Sequence, residues 1–369
     1  MKNHIVPATF VNTIFLGLLV PVFSFSLAPI PSDPASLSSW AHANLVSVRD
    51  RRGDISNLDP ALVTAEQHVV IIKVRKDGSG QFRTVTDAIK SIPKANTQRT
   101  IVWIGPGVYK EKITIERDQP FVTLYGDAND MPTLTFDGTA RQYGTVFSGS
   151  VTVYSEYFMA VNIIFENSSP MPKMGTMDGQ AVAMTIAGDK AAFYNCRFKG
   201  FQDTLCDLHG NHFFKDCYIE GMADFIFGDG KSVYLNSEIR AVWDQGGVIT
   251  AHGRTAESET TGFAFIHGSI SGVTTGKTYL GRLWRDWGKV VFLYVDMGAC
   301  IHPEGWSDNG KSAVDKTVYY GEYMNKGPGS NLSGRVKYAK KLTDAEARPF
   351  LDLNNLNAST WLLPPPHLA

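Results

Sequence analysis

The chain has 369 residues, nominally two or three average domains, with 35 lysines and arginines against 36 aspartates and glutamates and a net charge of −1. That balance excludes a general nucleic-acid binder, which needs a strongly basic face to release phosphate counterions. Hydrophobic residues at 43% exclude wholesale disorder, 34 glycines and 11% aromatics point to a β-rich, turn-rich body, and four cysteines are too few for a disulfide scaffold of this length.

At the N-terminus, Lys2 and His4 open a short polar region, Phe10 to Phe23 is mostly apolar, and Ser24, Ser26 and Ala28 supply small residues for cleavage. This reads as a secretory signal peptide over residues 1–26, interrupted by Pro21 and short for a spanning helix, with a signal anchor as the alternative. No later stretch approaches the roughly 20 apolar residues a transmembrane helix requires, so a secreted, extracellular protein with no membrane partner is expected. Three glycosylation acceptor triplets suit that compartment: Asn167-Ser-Ser, Asn331-Leu-Ser and Asn357-Ala-Ser. Residues 27–66, with charges at Arg49, Asp50, Arg51, Arg52 and Asp54, read as a solvated arm. The Arg-Gly-Asp triplet at Arg52 reads as coincidence. Residues 356–369, with three prolines at Pro364 to Pro366, read as a C-terminal tail behind a main body over 67–355.

The body carries a repeat. Phe193-Tyr-Asn-Cys-Arg-Phe-Lys-Gly200 lines up with Phe214-Lys-Asp-Cys-Tyr-Ile-Glu-Gly221 at an offset of 21, with further copies at Asn162–Asn167, Tyr234–Ile239, Phe265–Ile270 and Phe292–Met297. Each copy is a short alternating strand followed by glycine or a polar turn, and no helix long enough for a βαβ crossover lies between them. Strands recurring every 20 to 33 residues describe an all-β, single-stranded, right-handed parallel β-helix, its interior filled by stacked Ile163/Phe165, Cys196/Phe198, Cys217/Ile219 and Ile239. An antiparallel sandwich, the competing architecture, would not favour a fixed offset. Cys196 and Cys217 are expected to stack as a thiol pair or a disulfide. The pairing of Cys206 and Cys300 is open.

In the same register Asp203 falls on Asp224, about 4.8 Å away along the helix axis. Two carboxylates that close cannot both ionise freely, so one should hold a proton, the arrangement for paired nucleophile and general-acid work. Solvated turn aspartates would give the same spacing, and roughly 5 Å also suits a retaining glycosidase. The neighbours discriminate. Gln202 precedes Asp203, and Gln180 lies 22 residues earlier, so two amides stand near the pair and can donate to a developing oxyanion, as acyl transfer requires. Arg282 can pin the charged aspartate by a bidentate bond. No Gly-x-Ser-x-Gly elbow supports a serine hydrolase, no zinc motif is present, and Gly78-Ser-Gly80 lacks the rest of a dinucleotide fingerprint.

At these residues the chain resembles a known family. Gly107-Val-Tyr-Lys-Glu111, Gly179-Gln-Ala-Val-Ala183, Gln202-Asp-Thr-Leu205, Asp224-Phe-Ile-Phe-Gly228 and Leu280-Gly-Arg-Leu-Trp284 are similar to the five signature blocks of plant pectin methylesterases, whose fold is pectin-lyase-like. Asp77-Gly-Ser-Gly-Gln-Phe82 resembles the start of that family's catalytic domain, and the resemblance runs from about Val69 to Leu351. It implies Asp224 as nucleophile on a galacturonate methyl ester, Asp203 as acid and then base, Gln180 and Gln202 on the oxyanion, and Arg282 orienting Asp224. It also implies Trp284, Phe225 and Ser150 at the substrate groove, with Gln180 and Arg282 touching substrate as well. No metal or organic cofactor is implied. Partners would be methyl-esterified pectin and a proteinaceous pectinesterase inhibitor, with the enzyme a monomer in the plant cell wall. Residues 27–66 are too few for the four-helix inhibitor-like pro-region, so the chain resembles the short form.

Three departures stand out: Leu283 where the family usually has proline, Cys206 where it has tyrosine, and Ser150 in place of a threonine. None removes a catalytic group, so an active enzyme is expected. A pectin-active glycosidase or lyase on the same fold and a silent wall-binding protein are the competing functions. The paired glutamines weigh against the former, and the retained aspartates, glutamines and Arg282 against the latter.

Overall fold

Short runs of β-branched and aromatic residues, two to six long and broken by Asn, Asp and Gly, give each turn of the chain one strand in each of three sheets. The computed structural model describes residues 27–51, 55–173, 175–311 and 316–368. The expected signal peptide and the Arg52–Asp54 triplet lie outside these. The first sheet has eleven strands, from Val70–Val74 to Ala339–Lys341. The second has eight, from Val108–Lys110 to Asp296–Met297, and the third eight, from Ile113–Ile115 to Trp306–Ser307. All named strand pairs are parallel, and the architecture is the expected right-handed parallel β-helix. The nominal two or three domains become one continuous stack.

The repeat read from sequence is the ladder register. Phe193 pairs Phe214, then Tyr234, Phe265 and Phe292, and the offset of 33 pairs Phe165 with Phe198. Inside the coil these five rings stack nearly parallel with centroids 4.5–4.6 Å apart. At the corner that follows, Asn162, Asn195, Asp216, Asn236 and His267 all have positive φ, which Asn and Asp tolerate best. Asn195 donates to Asn162 at 2.8 Å and Asn236 to Asp216 at 2.6 Å, so the side chains of the corner also form a ladder. Gly221 has a different reason. A Cβ there would fall 2.1 Å from that of Phe225, so the glycine makes room for a ring rather than for a turn.

Four cysteines are free and buried. Cys196 and Cys217 stack as thiols, and burial pushes the Cys196 thiol up to about 12. A buried polar cluster closes the corner between the third and first sheets: Asp207 lies 2.5 Å from His212 Nδ1 and accepts from Tyr234 at 2.6 Å, while His212 Nε2 meets the Gly188 carbonyl at 2.9 Å. Both ring nitrogens are engaged, which fixes the orientation of the imidazole.

The expected arm and tail are corrected by packing. Many outward residues of the first sheet are apolar, among them Met159, Phe213, Val233, Ile266 and Leu293, and need cover. The α-helices Leu37–Asn44 (α1) and Pro60–Gln67 (α2) supply it with Leu37, Trp40 and Leu62, and the C-terminal segment with Trp361, Leu362 and Leu363. Lys190 pairs Asp59 at 2.8 Å, Arg99 pairs Glu66 at 2.7 Å, and Tyr194 donates to the Leu363 carbonyl at 2.5 Å. Arg51, expected in a solvated cluster, is buried. Of the three glycosylation triplets, Asn167 is buried with its amide donating to the Gly138 and Val182 carbonyls, whereas Asn331 and Asn357 are exposed.

Trp361 fills this cover and donates its indole N–H to the Leu356 carbonyl at 2.9 Å. Trp361→Ala is expected to cost about 3–5 kcal/mol, read as a lower melting temperature. A solvated tail would leave the melt unchanged.

Candidate active site

The outer face of the third sheet brings the predicted chemistry together. Leu205 pairs Ile226 at the 21-residue offset, Gln202 bridges Ala223, and the Asp203 amide donates to the Ala223 carbonyl at 3.0 Å. Asp203 and Asp224 therefore stand on adjacent coils, and both have left-handed backbone, φ 64° and 48°. That conformation costs of order 1–3 kcal/mol for a non-glycine residue and is held by the surrounding ladder.

The environments of the two acids differ. Arg282, at the end of strand Thr278–Arg282, grips Asp224 with Nε at 2.7 Å and Nη2 at 2.5 Å, the bidentate bond expected from sequence. The Arg282 carbonyl accepts from the Tyr320 hydroxyl at 3.0 Å, which fixes the backbone behind the guanidinium. Asp203 is 7% exposed, and its Oδ1 is buried without a hydrogen-bond partner among the described residues. Burial foremost, then repulsion from Asp224, pushes its carboxyl well above the usual range, against a smaller opposing pull from Arg282. One acid is an ion-paired carboxylate, and the other is held towards the protonated form.

Gln202 and Gln180 both flank the pair and are half-buried. The Ala181 amide donates to the Gln202 carbonyl, so Gln180 sits one position before the strict register, as its offset of 22 implies. Neither side-chain amide hydrogen-bonds to another described residue, and Gln180 Oε1 is buried and unpartnered. Beyond them lies an apolar floor of Val182, Cys206, Phe227 and Ala251, edged by Val146, Leu208 and Trp284. Gly253 gives Trp284 its place, because a Cβ there would meet the indole at 3.0 Å.

Two expected groove residues are not in the groove. Phe225 is fully buried in the coil interior. The ladder shifts register between Ala223 and Ile226, and this irregularity turns Phe225 and Ile226 inward and Phe227 outward, against simple alternation. Phe227 is thus the aromatic that edges Trp284, at 6.1 Å, and a bulge is what hid it from a period-two reading. Ser150 is also fully buried. Its hydroxyl donates to the Glu166 carbonyl at 2.7 Å and accepts from the Phe136 amide at 3.0 Å, leaving nothing for a ligand.

The departures are accommodated. Leu283 is buried in the core, and its amide donates to the Ser307 carbonyl at 2.9 Å, a bond that proline cannot make. Cys206 is buried in the groove floor, and burial foremost, then the charges of Asp203 and Asp207, keeps its thiol well above the ordinary range and so neutral.

Comparisons with known proteins place the chain in a family. The family model described as Pectinesterase matches residues 71–358. Pectinesterase 2 of Olea europaea is 49% identical over 360 residues, covering 96% of this chain and 97% of the relative. Among solved structures, the pectin methylesterase from carrot superposes with a TM-score of 0.69 at 31% identity, covering 77% of this chain and 91% of that one. Pectin methylesterase PemA from Erwinia chrysanthemi does so at 0.68 and 26% identity, covering 82% and 100%.

The raised carboxyl of Asp203 has a signed consequence for stability. Its contribution is full below the unfolded-state value and is lost as pH rises through the higher folded-state value. Asp203→Asn keeps the neutral shape without that loss. Thermal melts across pH should show the variant gaining on wild type as pH rises above the ordinary carboxylate range. A constant deficit at every pH would mean that the site needs the charge to fold.

Proposed function

The chain belongs to the pectinesterase family, and from that premise we propose that its two stacked aspartates demethylate cell-wall pectin by double displacement, releasing methanol. The observation that carries this reading is the division of labour between them: Asp224 is ion-paired to Arg282, while Asp203 is buried and held towards its protonated form.

Asp224 attacks the carbonyl carbon of a galacturonate methyl ester. The carbonyl π pair moves to oxygen, and the oxyanion is received by the uncommitted amides of Gln180 and Gln202. Collapse expels the methoxy group, which takes the proton of Asp203 and leaves as methanol, and an acyl–Asp224 anhydride remains. Asp203, now a carboxylate, removes a proton from water as it adds to the acyl carbon. The second collapse frees the galacturonate acid, returns Asp224 to its ion pair with Arg282, and leaves the proton on Asp203. Atoms and charges balance over the cycle: ester and water give acid and methanol. Trp284 and Phe227 line the groove beside the reacting sugar. Leu208 and Val146 continue that apolar edge, suited to a polymer whose carboxyls are mostly masked as esters.

Placement in the wall, with secretion from an N-terminal signal, follows the same reading, and Asn331 and Asn357 are the exposed acceptors that glycosylation would use. Among the described residues no helix is long and apolar enough to cross a membrane.

Methanol release from highly methylated pectin tests the assignment. Asp224→Asn should abolish turnover, and Asp203→Asn should cut kcat by about 10²–10⁴ with little change in KM, as loss of a general acid does. Wild-type kcat/KM should also fall on the alkaline side as Asp203 ionises. Folded wild type that releases no methanol would overturn the reading.

A further inference from the structure

On the outer face of the first sheet, the row that the arm and tail leave uncovered is unlike the rows beside it. The covered rows read Val233, Ala264, Val291 and Leu235, Ile266, Leu293, all apolar. In the uncovered row Lys231 pairs Gly262 and Lys289 pairs Tyr319, with Lys289 lying beside Gly262. A Cβ at Gly262 would lie 3.0 Å from Lys289 Cγ, so the glycine lets the Lys289 stem lie flat across the sheet between its neighbours. The Lys289 ammonium stands 5.6 Å from the Tyr319 ring centroid and 5.1 Å from that of Phe350, on the helix Asp344–Leu351. Lys340 approaches Tyr319 from the other side at 5.4 Å.

These cations lack anionic partners among the described residues. Lys231 and Lys289 form no ion pair there. Arg254, 9% exposed, donates to the carbonyls of Glu257, Glu259 and Trp287 and to no carboxylate. The acids nearby are committed: Glu259 accepts from Thr255 and Ala256, Asp229 from Thr261, and Glu346, which faces Tyr319 and Lys340, caps its own helix through Thr343. Burial foremost, then the positive charges of Arg254 and Lys231, pushes the Lys289 ammonium below its usual value. A cluster of half-buried, mutually repelling cations is relieved by an incoming anion, and rings beside ammonium groups suit one whose charge sits on a sugar.

We infer that Lys231, Lys289 and Tyr319, with the field of Arg254 behind them, form a second binding site for a polyanionic uronide, the de-esterified stretch of the polymer. This rests on the pectin reading of the catalytic groove. The site lies across the Gly253–Thr261 loop from Trp284, and that loop is tied to the groove wall through Arg254 and the Trp287 carbonyl. The groove takes masked carboxyls and creates free ones. The second site takes free ones, so the enzyme would be held on stretches it has already opened.

The test is retention of the full-length protein in gels containing polygalacturonate, fully methylated pectin or dextran sulfate, with wild type and a Lys231→Gln/Lys289→Gln double variant. Wild type should be retained on polygalacturonate more than on esterified pectin, with retention falling as salt rises. The double variant should bind polygalacturonate about fivefold to tenfold more weakly. It should release methanol from a short methylated oligomer at the wild-type rate, since neither lysine belongs to the catalytic groove. Undiminished retention of a folded double variant overturns the inference, as does an equal loss on fully esterified pectin. Equally strong retention of wild type on dextran sulfate would show that charge alone is read and would overturn the uronide assignment. Because the gel reads binding rather than turnover, wild type that is retained but yields no methanol would defeat the esterase reading alone.

Discussion

A parallel strand cannot slip by one residue against its neighbour without turning its buried side chains outward, and that constraint sets the distance between two acids here. The interior rings from Phe193 to Phe292 stack at one ladder spacing. Any slip would break that stack as well as the corner ladder of Asn195 on Asn162 and Asn236 on Asp216. Asp203 and Asp224 inherit their juxtaposition from this locked register. Their left-handed backbones, unfavourable in isolation, are tolerated because hydrogen bonds on either side leave them no other conformation.

Given that juxtaposition, burial separates the roles. Two like carboxyls at one coil spacing repel, and a shared environment would leave the proton undecided between them. Arg282 breaks the symmetry by taking both oxygens of Asp224, and its own position is secured from behind by Tyr320. The nearly closed surroundings of Asp203 then push its carboxyl towards the protonated form. Asp207, four residues further along the same coil and also buried, is instead held by direct hydrogen bonds to His212 and Tyr234. The neutral thiol of Cys206 lies between these two solutions without adding a charge to either.

Much of this was legible in the sequence because the repeat is the register. An offset of 21 read from Phe193 and Phe214 is the same number that pairs Arg197 with Tyr218 and places Asp203 on Asp224. Gln180 and Gln202 followed from their place relative to that pair, and Arg282 from the family resemblance of its block. What failed did so for local reasons. Phe225 was placed at the groove by resemblance alone, and the register shift after Ala223 that turns Phe227 outward leaves no mark in a period-two pattern. The Ser150 hydroxyl is spent on two strands that are neighbours only in the folded coil. The arm and tail looked solvated because their apolar residues are sparse and aperiodic. Their partners are the outward rows of a sheet, whose continuous apolar character is apparent only once the strands are laid side by side.

The same side-by-side view explains why the outer faces of the third and first sheets differ. A β-helix has no free sides: each outward row must be covered, solvated by charge or used. On the third sheet, apolar outward residues near the aspartates form a buried cluster from Val182 to Ala251, edged by the half-buried Val146, Leu208 and Trp284. On the first sheet, Trp40, Leu62 and Trp361 take the apolar rows, and cover stops where the row turns cationic at Lys231 and Lys289. With net charge near zero, the chain has no basic field to hold an acidic polymer at a distance. Affinity for such a polymer must therefore be local, built from a few ammonium groups whose carboxylate partners are withheld. The Arg254 guanidinium adds to them: among the described residues it donates to three carbonyls and to no carboxylate.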